Sequence, residues 1–191
     1  MPTITLDPPL PSRSRQRQPT LLVLHATAGA TARSSVDVLR ARGLGYHYII
    51  ARDGKDSAKS ANADGTEAVV FACVPISRVA FHVGSQIPVP GVEGDINANS
   101  VGISLANIQN RKQPEPYTPR QIDAMHQIIK DVLAALPSIK LITAHAFVQP
   151  WNRSDPQNLN IDGIAAQHGL TVWRPTKAEI AAHTPPKAKV G

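Results

Sequence analysis

His145 and Asp155 stand ten residues apart in the stretch AHAFVQPWNRSDP, and His25 closes the apolar run TLLVLH. A histidine and a carboxylate in one irregular, proline-bearing loop can reach the same metal ion. A second imidazole brings the set to two nitrogens and one oxygen. Three such ligands on a tetrahedral zinc leave the fourth position open to water, the layout of a catalytic site. Zinc lowers the pKa of a bound water to roughly 7, so this set predicts hydrolytic chemistry. Each residue also has a plainer reading. His25 could be a strand-end histidine bonded to a backbone carbonyl, and His145 and Asp155 could be loop residues satisfied by nearby backbone. The residues after His25 are small (Ala26, Thr27, Ala28, Gly29), which leaves space around the ring.

The elements that would position these residues can be read from periodicity. Thr20 to His25 reads as a buried strand, and Leu141 to Ala144 as another that delivers His145 at its edge. Tyr46 to Arg52 reads as a strand closed by the turn pair Asp53-Gly54, and Glu67 to Val74 and Val101 to Ile108 as two more. Thr31 to Arg42 reads as a helix stopped by Gly43. Thr118 to Leu136 carries the strongest helix signature. Thr118 and Gln121 suit a capping box, Pro119 suits the first position, and Ile122, Met125, Ile129, Val132 and Leu136 form one stripe. Asp162 to His168 is a short helix ended by Gly169. Strands mixed with helices predict an α/β fold: one domain with a mixed central sheet flanked by helices. Residues 1–18 read as an extended arm, 19–183 as the domain and 184–191 as a flexible tail.

Composition narrows the partners. The chain has 191 residues, 42% of them hydrophobic, enough to bury a core without staples. A net charge of +6 favours polyanions such as nucleic acid, anionic lipid or anionic cell-wall polymer. The chain shows neither an RNA-binding aromatic signature nor a basic recognition helix, which argues against nucleic acid. No apolar run is long enough for a membrane span. Cys73 is the single cysteine, so no intrachain disulfide forms. The N-terminal stretch lacks the apolar segment of a secretory signal. The expectation is therefore a cytoplasmic protein, or one delivered to the cell wall by lysis or specialised secretion. A monomer is expected.

Six segments, in order, resemble the zinc-dependent N-acetylmuramoyl-L-alanine amidases of the amidase-2 family, whose fold is shared with peptidoglycan-recognition proteins. LVLHATAG resembles the first-ligand strand, GYHYIIARDGK the GYHF-type strand and turn, and AFHVG the WHAG-type segment. NANSVGISLAN is similar to the NxxSIGIxL-type strand, YTPRQIDAMHQIIKDVL to the T-P-x-Q helix, and AHAFVQPWNRSDP to the final ligand loop. The match spans roughly residues 20–165. The resemblance implies that His25, His145 and Asp155 bind Zn²⁺ and that Tyr46 lies beside the metal. It implies hydrolysis of the amide joining N-acetylmuramic acid to L-alanine, in peptidoglycan or a muropeptide. Arg153 stands where the family often has lysine. Its permanent charge can stabilise a developing anion but cannot serve as a general base.

One departure stands out: Ser104 occupies the strand position where many members carry a general-base glutamate, although some phage members also lack it. His82 resembles a family histidine near the substrate groove. Trp151 is a candidate for the groove wall, or a pin for its loop. Asn97 and Asn99 are read as loop and turn residues open to substrate contact, Asn99 being the candidate, and His47, His126 and His168 as structural. Two rival functions stand beside the amidase. A non-catalytic peptidoglycan-binding module is one, though such relatives usually lose a zinc ligand. A serine hydrolase using Ser104 or Ser154 is the other, and the chain has no G-x-S-x-G elbow for it.

Overall fold

The computed structural model describes residues 3–52, 69–109 and 112–186. The expected Asp53-Gly54 turn, the start of the Glu67–Val74 strand and residues 187–191 of the expected tail lie outside the described residues.

Nine strands and six helices are present among the described residues. The strands are β1 (Thr3–Thr5), β2 (Ser12–Ser14), β3 (Leu21–Ala26), β4 (Tyr48–Ile50), β5 (Val70–Ala72), β6 (Arg78–Ala80), β7 (Ser100–Leu105), β8 (Leu141–Ala144) and β9 (Thr171–Val172). The helices are α1 (Ala32–Ala41), α2 (Ile96–Asn99), α3 (Pro119–Ala135), α4 (His145–Val148), α5 (Ile161–His168) and α6 (Lys177–His183). Seven strands form one sheet in the order β1-β5-β4-β7-β3-β8-β9, and β2 pairs with β6 apart from it. Only β4 and β5 run antiparallel within the large sheet. The sheet is therefore mixed and flanked by helices.

Side-chain alternation sorts the two central strands into two faces. Leu22 and Leu24 of β3 join Val101, Ile103 and Leu105 of β7 in a core capped by Met125, Ile128, Ile129 and Val132 of α3. The opposite face carries Leu21, Val23 and His25 of β3, beside Ser100, Gly102 and Ser104 of β7, their direct register partners. Strand β7 is thus apolar on one face and small or polar on the other. This pattern is what lets it bury both faces while leaving room for chemistry on one. Helix α3 starts with the capping box of Thr118 and Gln121 and has Pro119 in its first turn. Helix α1 is capped by Thr31, and Gly43 follows it at φ 69°.

The structure departs from expectation in four places. The strand expected from Tyr46 starts at Tyr48, because Gly45 and His47 direct their amides to Phe81 and Gly102, outside the β4 ladder. Strand β7 stops at Leu105, at the edge of the sheet where His25 lies. The N-terminal arm is extended but docked: β1 edges the main sheet, β2 pairs with β6, and Leu10 is fully buried. A Cβ at Gly45 would lie 3.1 Å from Leu10 and 3.3 Å from the Pro11 carbonyl, so the arm crosses closely there. Helix α6 and strand β9 come after the last expected helix.

Candidate active site

Three separate elements bring His25, His145 and Asp155 together. His25 lies at the C-terminal end of β3, on the face away from α3. His145 begins α4 directly after β8, the neighbour of β3. Asp155 is tied back to these strands by its own groups. Its carbonyl accepts from the Ala146 amide at 2.8 Å, and its Oδ2 accepts from the Ala26 amide at 3.2 Å. Ligand atoms of the three side chains all lie within 4.8 Å of one another. His145 Nδ1 is 3.2 Å and His25 Nδ1 is 3.7 Å from Asp155 Oδ2.

The donor set fits a metal ion on two further grounds. His25 is fully buried, yet its Nδ1 has no hydrogen-bond partner. A buried polar atom left bare costs free energy unless something occupies it. Both imidazoles are also oriented from behind. His25 Nε2 is 3.0 Å from His82 Nδ1, and His145 Nε2 is 3.3 Å from Gln149 Oε1. Such outer partners are the usual way a metal-ligating ring is aimed.

The electrostatics agree. Burial holds the His25 imidazole neutral, with its pKa down to about 4; the nearby His145 adds to this and Asp155 opposes it. Burial would raise the Asp155 carboxyl, but the adjoining His145 and His25 imidazoles outweigh it and hold it well below the usual range. Neutral imidazole and ionised carboxylate are the forms that bind metal. Tyr46 packs its ring 4.8 Å from that of His25. Burial and then the Asp155 charge push its phenol upward, so it is a protonated donor at neutral pH. Ser104, the register partner of His25, is fully buried beside Tyr46, where it opposes the upward push on the phenol, and its hydroxyl makes no hydrogen bond of good geometry.

Tyr46, His145 and Asp155 line a groove of about 490 Å³, and His25 lies fully buried against them. Its walls come from the segment after β3, from α1 and from the loop 152–155. Among the described residues lining it, Asp155 is the only carboxylate, whereas Arg42 and Arg153 are cations.

The family model for N-acetylmuramoyl-L-alanine amidase matches residues 15–158, which include all three clustered residues, Tyr46 and Arg153. The chain belongs to this amidase family. No curated protein matches the amidase. Among solved structures it is similar to AmpDh3 from Pseudomonas aeruginosa in complex with an anhydromuramic pentapeptide. The identity is 21% and the TM-score 0.68, over 90% of this chain and 77% of that one. It is also similar to AmiD from E. coli, in complex with anhydro-N-acetylmuramic acid-L-Ala-D-γ-Glu-L-Lys. Here the identity is 25% and the TM-score 0.60, over 88% and 65% of the two chains. The amidase LysC from Clostridium intestinale gives 21% identity and a TM-score of 0.63, over 90% and 99%.

The remaining expected site residues of the amidase fall in different places. Arg153 lines the groove and is exposed. His82 lines the groove although it is buried, and its Nδ1 lies against His25 Nε2. Asn99 is buried away from the groove, its amide donating to the carbonyls of Glu93 and Asp95. Trp151 is half-buried, and its neighbours Asn152, Arg153 and Ser154 form the lining instead. Sequence reasoning missed Gln149 and Ser100. Gln149 stands four residues after His145, one helical turn on, and that spacing could have found it. His47 accepts from the Gly102 amide and is packed among backbone groups.

Proposed function

We propose that the amidase is a zinc enzyme acting on peptidoglycan or muropeptides, with His25, His145 and Asp155 as its metal ligands. The observation that carries this is the bare, buried Nδ1 of His25 beside His145 and Asp155, both of which line a groove. When bound there, the ion supplies Lewis acidity, acidifying water and polarising an amide carbonyl.

The chain's own residues do the rest. Arg42 and Arg153 give the groove a cationic wall suited to a substrate bearing carboxylates. Tyr46, kept protonated by burial, donates toward the oxygen on which negative charge grows as the amide is attacked. Arg153 adds permanent positive charge on the same side of the groove. Ser104 is too weakly basic to take a proton from water at neutral pH and serves as packing against Tyr46.

The test pairs metal analysis with product analysis. Purified protein is expected to hold about one zinc per chain, and His25→Ala, His145→Ala and Asp155→Ala to lose it. Digested peptidoglycan should release stem peptides with a free L-alanine amino group and no new reducing sugar ends. Zinc retained at full stoichiometry in all three variants would sink the ligand assignment. New reducing ends would indicate glycan cleavage instead. Full binding of peptidoglycan without any released peptide would favour a recognition module.

A further inference from the structure

The atoms behind His25 form a directed chain. Ser100 Oγ lies 2.7 Å from the Ile96 carbonyl oxygen and 3.1 Å from His82 Nε2. A serine hydroxyl carries one proton, and the carbonyl can only accept. That proton therefore points at Ile96, and Ser100 Oγ receives a hydrogen from His82 Nε2. A neutral imidazole carries a single N–H, so His82 Nδ1 is a bare lone pair. It faces His25 Nε2 at 3.0 Å, which must then be the donor. His25 is left with its lone pair on Nδ1, the buried atom without a hydrogen-bond partner.

The fold holds this chain in place from three sides. The amides of His82 and Val83 both donate to Asn97 Oδ1 at 2.9 Å, and Asn97 Nδ2 donates to the Val83 carbonyl at 2.8 Å. The His82 ring lies flat on β7 at Gly102, where a Cβ would approach the ring to 2.8 Å. Ser100, two residues earlier on the same face, then meets Nε2. The alternation of Ser100 and Gly102 along β7 is thus the seat of the imidazole.

We propose that His82 is a positioning residue of the metal centre: the relay from the Ile96 carbonyl through Ser100 and His82 fixes the His25 tautomer and turns its Nδ1 lone pair toward the ion. This rests on the reading of His25 as a zinc ligand. It gives His82 a task distinct from substrate contact, and gives Gly102 and Ser100 one as well.

The test starts with zinc-free protein labelled with ¹⁵N at neutral pH. Long-range ¹⁵N–¹H correlation spectra of the imidazoles should show both His25 and His82 protonated at Nε2. Zinc affinity is then measured by competition with a chelator, using the metal alone. His82→Leu should weaken it about 10–100-fold, the usual cost of losing an outer partner. His82→Gln keeps an amide oxygen for His25 and an amide N–H for Ser100, and should recover most of the loss. Gly102→Ala, which displaces the ring but keeps its nitrogens, should weaken zinc in the same direction as His82→Leu. Protonation of His25 at Nδ1 in the wild type would overturn the proposal, and that spectrum needs no variant to fold. Wild-type zinc affinity in a folded His82→Leu would overturn it too. A wild type that binds no zinc, with His25 protonated at Nε2, would fail the metal reading while leaving the hydrogen-bond relay intact.

Discussion

At the scale of single residues, the site separates groups that hold from groups that act. Tyr46 is a donor because burial keeps its phenol protonated, and its ring packs against the first imidazole. Tyr46→Phe is expected to lose on the order of 10²-fold in kcat, the cost of one donor aimed at an oxyanion, with zinc content unchanged. Arg153→Ala should lose most activity and Arg153→Lys retain part of it, since only the lysine keeps the charge. Ser104→Ala should cost little, because the buried serine hydroxyl makes no hydrogen bond of good geometry. Steady-state kinetics with metal analysis of each variant decides these together. If Ser104→Ala were as damaging as a ligand substitution with zinc still bound, a proton route that bypasses Ser104 would be wrong.

Elements matter here through their ends and their alternation. Strand β3 carries His25 near its end, and β8 hands the chain to α4 at His145, so adjacent parallel strands present two of the proposed ligands at the same edge of the sheet. The apolar partner of this arrangement is α3, which covers the opposite face. Its start is secured by the reciprocal bonds of Thr118 and Gln121, and Gln121 also donates to the Ala106 carbonyl at 2.9 Å. Thr118→Ala removes the cap and should cost about 1 kcal/mol of stability. Denaturant unfolding should show that loss, with kcat unchanged, because α3 lies across the sheet from the groove.

For the whole molecule, the N-terminal arm and the buried histidines set stability. Arg15 donates to the carbonyls of Ile76, Ala98, Arg78 and Ser100, tying the arm to four places in the fold. Arg15→Ala should cost about 2–4 kcal/mol, read as a lower Tm, because several carbonyls lose a charged donor at once. Lysine should not rescue it, since a point charge cannot reproduce the planar fork. Acid should also destabilise the zinc-free protein. Burial lowers the His47 pKa from 6.5 to about 3, and the Arg78 carbonyl only partly opposes it. Between those values the unfolded chain binds a proton that the folded chain refuses. The contribution of His47 to stability is therefore full above pH 6.5, falls as pH drops toward 3, and is lost below. Thermal melts between pH 7 and 4 should show this slope, and His47→Gln should flatten it. A slope unchanged in His47→Gln would assign the effect to the other buried imidazoles.

Local chemistry carried the sequence a long way. Apolar runs and capping residues mark β3, β8, α1 and α3, because each burial pattern and cap is written in neighbouring residues. The proposed ligand set was legible because His25, His145 and Asp155 sit at element ends within recognisable segments, and the family match spans all three. The docking of the arm was not legible: residues 1–18 have no periodicity, and β1 and β2 exist only because β5 and β6 offer them partners. Nor was the contact of His82 with His25: its segment places it near the groove, which it lines, but does not show the ring it meets. That depends on Gly102 and Ser100 facing it from another strand, across 18 residues of chain in the case of Ser100. Periodicity along one segment specifies which face a side chain takes. The group that stands opposite that face is decided by strand order and register, which are set only when the whole sheet closes its core.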